Sequence, residues 1–274
     1  MKLQPRVALV TGAARGQGRA EALRLARDGY DLLLVDLCAD IPGIPYPLGR
    51  PEDLAETARL VEDAGRRVEA RRADVRDAAA LGTAVAEGAA ALGGLDAVVA
   101  NAGVFAAAPV AETEAGTWQA ILDTNLSGAW NTARAALPLL LERGGGAMVF
   151  VASIAGLKGI ENLGAYAAAK HGVIGLMRTL AIEMAPRGVR VNAVCPTNVG
   201  TDLLHNEAMY RLFVPSDPHR DDAALRTAFQ AVNRMPVPWI EPEDVAEAVA
   251  WLLSDAARFV TGTALAVDAG ALLH

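Results

Sequence analysis

The feature that most constrains this chain is an alternation along its length. Short, mostly apolar runs rich in Val, Leu and Ala alternate with longer segments that have helical spacing of apolar residues. The runs are Val7–Val10, Leu32–Val35, Val68–Arg71, Ala97–Ala100, Met148–Val151, Val189–Val194 and Ala264–Val267. Helical periodicity falls near Gly18–Asp28, Glu52–Ala64, Ala78–Leu92, Thr117–Leu141, Ala165–Met184 and Pro242–Leu253. Strands that read as continuous apolar runs, rather than alternating ones, belong in a sheet covered on both faces. The strand–helix rhythm is that of repeated βα units. The pattern therefore predicts a single α/β domain over residues 1–274: a doubly wound sheet of seven parallel strands with helices on both faces. Two stretches break the rhythm, near 37–51 and 202–242. Specialisation is expected there, a cofactor-side loop in the first and a substrate lid in the second.

Composition narrows the function classes. The chain has 274 residues, 53% of them hydrophobic, which is enough to bury one large core. Its 25 Lys and Arg against 32 Asp and Glu leave a formal charge of −7, with no basic stripe for a nucleic acid to grip. No uncharged apolar run is long enough to span a bilayer, so no membrane insertion is expected. Residues Met1 to Arg6 pass straight into the first apolar run without a charged leader and long apolar stretch, as expected of a cytoplasmic protein. Cys38 and Cys195 read as packed thiols, since a core of this size needs no crosslink.

The first chemical signal is Thr11-Gly12-Ala13-Ala14-Arg15-Gly16-Gln17-Gly18, which follows a predicted strand and opens a predicted helix. Glycine allows a tight turn and lets a pyrophosphate approach the backbone, while the helix amides and dipole favour its charge. Asp36 then ends the second strand, where a carboxylate can accept hydrogen bonds from both hydroxyls of an adenosine ribose and repel the extra phosphate of NADP. Taken singly, the glycines could merely turn the chain and Asp36 could merely end a strand. Strand, turn, helix and acid in that order make a Rossmann-like dinucleotide site the better reading, and NAD the expected cofactor. Arg15 stands against this, because a basic residue beside Gly16 could meet a 2′-phosphate.

The second signal is Tyr166 and Lys170, four apart and so on one helix face. A lysine cation beside a phenol favours the phenolate, which would make Tyr166 a usable acid and base. Alone, such a pair is usually a partly exposed helix face. Ser153 changes the odds, because it follows the fifth strand at the carboxyl edge where ligands gather in open α/β sheets.

Together these motifs resemble the short-chain dehydrogenase/reductase family over nearly the entire chain. The family pattern also fits Asp74-Val75, Asn101-Ala102-Gly103 and Asn125. The resemblance implies that Ser153 orients the substrate oxygen, Tyr166 exchanges its proton, Lys170 holds nicotinamide ribose hydroxyls, and Asn125 places a water in a proton relay. A helix kink or cap is the plainer role for Asn125 and is compatible with the relay. The resemblance further implies cofactor contacts from Gly12, Arg15, Gly16, Gln17, Gly18, Asp36, Leu37, Asp74, Val75, Asn101, Ala102, Gly103, Tyr166, Lys170, Pro196, Val199 and Thr201. Pro196-Thr197-Asn198-Val199-Gly200-Thr201 departs from the family's usual Pro-Gly, which leaves the backbone course there open.

The two irregular stretches carry a closer resemblance. The long proline-bearing run from Leu37 to Pro47, with Asn198, His205-Asn206-Glu207 and Pro238-Trp239, is similar to the mycofactocin-coupled, carveol dehydrogenase-like subfamily. That implies NAD retained between turnovers, a separate mycofactocin-type redox carrier that regenerates it, and a hydrophobic secondary alcohol, terpenoid-like or cyclic, interconverted with its ketone. Residues 38–51 would bury the adenine end of the cofactor. A surface decoration or a subunit contact is the competing role for that loop. Met209, Tyr210, Leu212, Phe213, Phe229, Met235 and Trp239 could form an apolar lid over substrate, or serve as ordinary core or dimer contacts. His171, His205 and His219 show no metal-ligand spacing, and no metal is expected. The family resemblance implies a homotetramer packed through the helices bearing Asn125 and Tyr166. Two other functions fit the same fold: an NADPH-dependent ketoreductase of acyl or polyketide-type substrates, opposed by Asp36, and a non-catalytic dinucleotide sensor or scaffold.

Overall fold

A computed structural model describes residues 6–214 and 222–273. Met1 to Pro5 and His219 lie outside the described residues. Seven parallel strands form one sheet in the order β3-β2-β1-β4-β5-β6-β7. They are β1 (Val7–Thr11), β2 (Asp31–Asp36), β3 (Val68–Arg72), β4 (Ala97–Ala100), β5 (Gly146–Val151), β6 (Val189–Pro196) and β7 (Ala264–Val267). The predicted strands are all present, most of them extended by a residue or two. The helices are α1 (Gly16–Arg27), α2 (Pro51–Asp63), α3 (Ala78–Leu92), α4 (Ala115–Leu122), α5 (Gly128–Glu142), α6 (Gly164–Met184), α7 (Glu207–Phe213), α8 (Asp222–Gln230) and α9 (Pro242–Leu253).

The continuous apolar runs have the physical cause expected of them. Along β1, Val7 and Leu9 pack into the layer formed with α3, α5 and α6, while Ala8 and Val10 pack into the layer formed with α1, α2 and α9. All five β1 residues are buried. The edge strand β3 carries Glu69, Arg71 and Arg72 instead, since one side of it has no strand partner.

Local signals set the helix starts. Asp77 accepts from the N–H groups of Ala79 and Ala80 at 3.0 Å to begin α3. Pro51 and Pro242 occupy first-turn positions of α2 and α9, where a missing N–H costs nothing.

One predicted helix is broken. The segment Thr117–Leu141 consists of α4, a five-residue π-helical turn over Asp123–Ser127, and α5, so the irregularity falls at Asn125, where a kink or cap is the plainer reading of the sequence. Apolar periodicity alone cannot register one inserted residue in a helix. The irregular stretch 202–242 also contains the short helices α7 and α8, which the sequence pattern left unassigned. No helix among the described residues is long and apolar enough to cross a membrane.

The strand order reverses between β1 and β4, which pair in parallel register from Ala8–Ala97 to Val10–Val99. Chain leaves those two strands in opposite directions across the sheet and opens a crevice at their carboxyl ends. The predicted site residues gather there.

Candidate active site

The floor of the crevice is the turn after β1. Gly12 has φ +68°, and a Cβ there would stand 2.8 Å from Ala102 Cα and 2.9 Å from Asn101 Nδ2. The turn is thus pressed against the chain leaving β4, and only glycine fits. Asn101 braces the contact by donating from Nδ2 to the carbonyls of Thr11 (2.9 Å) and Gly12 (3.2 Å). Next, α1 begins at Gly16 with no side-chain cap and no acidic residue in its first turn. Its first amides therefore face the crevice unspent.

Asp36 stands at the far end of the same cleft. Its carboxylate accepts from the main-chain N–H of Ala14 at 3.0 Å and of Cys38 at 2.9 Å. Cys38 adopts φ +55° to make that second bond. Asp74 is held by the Arg76 guanidinium (2.6 Å) and main-chain N–H (2.9 Å). Burial acts to raise its pKa, but those Arg76 contacts outweigh it and hold the carboxyl below the usual range.

Arg15 is engaged elsewhere than at a phosphate. Its guanidinium bridges Asp202 at 2.7 Å and the carbonyl of Pro47. One side chain on the glycine turn therefore ties together the two stretches that broke the sequence rhythm.

At the other end, β5 delivers Ser153 and the first turns of α6 deliver Tyr166 and Lys170. The Ser153 side chain lies close enough to the Tyr166 hydroxyl to act on its ionisation. Ser153 Oγ also accepts from the N–H of Ala155 at 3.1 Å, which fixes its rotamer. Lys170 is buried, donates to the Val151 carbonyl at 2.8 Å, and lies 5.5 Å from the Tyr166 ring centroid.

The electrostatics differ from the sequence expectation of a lysine-lowered phenol. Burial pushes Tyr166 up to about 12 even though the nearby Ser153 side chain lowers it, and burial pulls Lys170 down to about 8. Desolvation disfavours both charged forms, and in the protein alone it dominates their mutual attraction.

Asn125 lies in the π-helical turn. Its side chain is buried and spent on Val104, accepting from that N–H at 2.7 Å and donating to that carbonyl at 2.8 Å. It touches the site from behind Gly103, whose Cβ would lie 3.2 Å from Asn125 Oδ1 and 3.6 Å from Lys170 Nζ. A π-helical turn also leaves a main-chain carbonyl out of the α-helical ladder.

Of the expected cofactor contacts, Gly12, Arg15, Gly16, Gln17, Gly18, Asp36, Leu37, Asp74, Val75, Asn101, Ala102, Gly103, Tyr166, Lys170 and Thr201 line one cleft. Pro196 and Val199 are buried and do not line it. The uncertain course after Pro196 is settled by a parallel bridge between Val199 and Ile240 and by Thr197 bonding to Asn233 at 2.9 Å. Sequence reasoning missed Tyr46, Leu48, Thr124, Asp202 and Leu203, all of which line the cleft. The lone aromatic of the proline-bearing loop was the available signal for Tyr46; nothing marked Thr124 except its neighbour Asn125.

Beyond Tyr166 the cleft opens onto an apolar cluster. Leu204, Met209 and Phe229 from the later stretch are buried with Tyr46, Phe105 and Leu163, and Tyr166, Phe213 and Trp239 pack against them. Phe213 meets Phe229 edge-on at 4.5 Å, and His205 meets Trp239 edge-on at 4.7 Å. Met235 stands apart, 58% exposed. The earlier stretch reaches farther than expected: Gly49 packs against Ala14 and Asp36 at the adenosine end, but Ile44, Tyr46 and Leu48 join the cluster around Tyr166. Among the described residues no group of three or more His, Cys, Asp or Glu side chains could hold a metal ion. His171 is exposed and bonds the Ala167 carbonyl.

A family model described as enoyl-(acyl carrier protein) reductase matches residues 12–271. The chain is 46% identical over 278 residues to (−)-trans-carveol dehydrogenase of Rhodococcus erythropolis, with 99% of each chain covered. Among solved structures it is similar to carveol dehydrogenase from Mycobacterium avium in complex with NAD, with TM-score 0.97, 46% identity and 98% of each chain covered. It is also similar to a short chain dehydrogenase from Mycobacterium paratuberculosis bound to NAD, with TM-score 0.90, 39% identity and 100% of each chain covered.

Proposed function

This chain belongs to the short-chain dehydrogenase/reductase family, and from that premise we propose that it is an NAD-dependent alcohol dehydrogenase interconverting a hydrophobic cyclic secondary alcohol, terpenoid in kind, with its ketone. The observation that carries the proposal is Tyr166 lining a glycine-floored cleft with Lys170 beside its ring and Ser153 close enough to act on its hydroxyl, where the cleft meets an apolar cluster. The names of the relatives and of the NAD-bound neighbours support the cofactor and the substrate class.

The residues fit a dinucleotide. Gly12, Gly16, Gln17 and Gly18, with the open amides of α1, suit a pyrophosphate. Asp36 and Leu37 suit the adenosine ribose, and Asp74 and Val75 the adenine. Asn101, Ala102 and Gly103 would line its middle, with Thr201 toward the nicotinamide. Asp36 would repel a 2′-phosphate, and Arg15, spent on Asp202 and Pro47, is not free to offset that repulsion. When bound, oxidised NAD supplies a hydride acceptor and a positive charge beside the phenol.

Ser153 Oγ holds the substrate oxygen, and Tyr166 Oη takes the hydroxyl proton during oxidation or returns it during reduction. Burial keeps Tyr166 protonated at neutral pH, so proton abstraction depends on cationic charge close to it, part of which a protonated Lys170, 5.5 Å from the ring centroid, would supply. Lys170, which lines the cleft, would also hold the nicotinamide ribose hydroxyls. Asn125, by holding the π-helical turn against Val104, positions a main-chain carbonyl for a water that passes the proton onward. The apolar cluster beside Tyr166 would favour an apolar ring system over a polar one.

We further propose that NAD stays bound between turnovers and is reoxidised in place by a mycofactocin-type carrier, a reading supported by the segment 37–51 closing over both ends of the cleft. The assembly proposed is a homotetramer, consistent with exposed Trp130 on α5 and Ile182 on α6. Free thiols at Cys38 and Cys195 agree with a cytoplasmic setting.

The test is Tyr166→Phe in the full chain. The expected outcome is loss of alcohol oxidation by several orders of magnitude with the dinucleotide still present by native mass spectrometry. A variant that oxidises the cyclic alcohol at an undiminished rate would remove Tyr166 from the chemistry.

A further inference from the structure

The segment between β2 and α2 looks from its sequence like a cover for the adenosine end, yet Tyr46, at its centre, is 6% exposed and packed in the cluster that surrounds Tyr166. Its hydroxyl accepts a hydrogen bond from the main-chain N–H of Phe105 at 3.1 Å. The Phe105 ring in turn meets the Tyr166 ring edge-on, with centroids 5.2 Å apart and planes at 70°. On the residue before Phe105, Asn125 holds both main-chain groups of Val104. The chain at 104–105 is therefore clamped from two sides, by Asn125 and by Tyr46.

Such a clamp has a direct consequence for Tyr166. Edge-to-face ring contacts are directional, and Phe105 is buried in the cluster that packs around Tyr166. The tilt of the Tyr166 ring, and so the place of its hydroxyl against a substrate oxygen, follows the position of Phe105. Displacements of about 1 Å from productive geometry can cost roughly a hundredfold in rate.

We infer that Tyr46 is a positioning residue for the chemical step: by holding the Phe105 main chain it fixes the ring that aims Tyr166. The inference rests on Tyr166 as the proton carrier, and it gives the segment 37–51 a second task besides enclosing cofactor. Pro47 and Gly49, directly after Tyr46, contact Arg15 and Asp36. A properly seated segment thus sets the cofactor cleft and the acid–base group together.

The experiment compares full-length wild type with Tyr46→Phe, Phe105→Leu, the double variant and Tyr166→Phe. The rate of nicotinamide reduction is read in a single turnover over a range of cyclic alcohol concentrations, and the dinucleotide content of each protein by mass spectrometry. Tyr46→Phe keeps the ring and removes only the acceptor for the Phe105 N–H. The expected result is a single-turnover rate lowered about tenfold, a half-saturating alcohol concentration changed less than about twofold, and unchanged dinucleotide content. If Tyr46 acts through Phe105, the double variant is no slower than Phe105→Leu alone. An undiminished rate in Tyr46→Phe overturns the inference, as does a rate lost only in proportion to lost dinucleotide, or effects of Tyr46→Phe and Phe105→Leu that multiply. A fully active Tyr166→Phe instead overturns the assignment of Tyr166 itself, which separates the two failures.

Discussion

Glu21 shows how much a single side chain can cost a fold. It lies on α1 with no exposure, and neither carboxyl oxygen has a hydrogen-bond partner among the described residues. One turn earlier, Gln17 Oε1 is likewise unpartnered. Burial raises the Glu21 carboxyl well above the ordinary value of 4.5, so it is protonated in the fold at pH values where the unfolded chain would release the proton. A raised folded pKa gives a contribution that is complete below about pH 4.5 and is lost as pH climbs toward the folded value. Glu21→Met removes both the unpaired oxygens and the ionisation. At neutral pH it is expected to stabilise the protein by about 1–3 kcal/mol, with the gain shrinking as the pH falls to about 4.5. Urea unfolding of both proteins across that range is the check; equal stability of both at pH 7 would contradict it. Tyr166 and Lys170 obey the same rule of burial, since each is moved toward its neutral form, to about 12 and about 8. Their spacing of four put them on one helix face, but the direction of the phenol's shift was decided by how much solvent the surrounding chains excluded.

The two irregular stretches act as one unit. They contribute to a common apolar cluster around Tyr166 and are tied across the glycine turn by Arg15. Magnitudes decide which tie matters for holding a cofactor. The Arg15–Asp202 pair is solvent-accessible, with Asp202 66% exposed, and such pairs contribute about 0–1 kcal/mol. Burying a side chain such as Tyr46 or Ile41 contributes roughly 1.5–3 kcal/mol. Asp202→Asn is therefore expected to speed dinucleotide loss at most about fivefold. Replacing residues 39–48 by a short Gly-Ser link is expected to strip the dinucleotide during dialysis. The dinucleotide-to-chain ratio after extended dialysis reads both, and a shortened loop that keeps its NAD as wild type does would end the retention proposal. At this scale the helices α7 and α8 escaped the sequence, and of the π-helical turn it offered only a kink or cap at Asn125. The first two are short, with mixed composition, and the third is one extra residue in a pattern whose period it barely disturbs.

At the scale of the molecule, the outer faces of α5 and α6 carry large apolar side chains in water, Trp130 at 48% and Ile182 at 77% exposure. The Arg134 guanidinium lies over the Trp130 ring at 5.4 Å. Exposed apolar side chains on neighbouring helices suit packing against further copies. If the proposed tetramer packs through this face, Trp130→Glu is expected to give smaller species than wild type by light scattering while the chain stays folded by circular dichroism. An unchanged mass would remove this face from the assembly.

What the sequence determined by itself was whatever depends on residues near one another in the chain. Seven apolar runs and their helical sequels specified the strands, the layers and the doubly wound class. The glycine turn after β1, Asp36 at the end of β2, and the Tyr166–Lys170 spacing marked the cleft, because helix pitch and strand ends convert short sequence distances into fixed spatial ones. What only the tertiary structure decided were the meetings between distant segments: Arg15 with Asp202, Tyr46 with Phe105, Asn125 with Val104, and the burial of Glu21. Loops obey no period, so nothing in their local sequence says how far they reach. Desolvation, which moves Glu21, Tyr166 and Lys170 toward their neutral forms, is a property of the atoms that surround a side chain and not of the residues beside it in the chain.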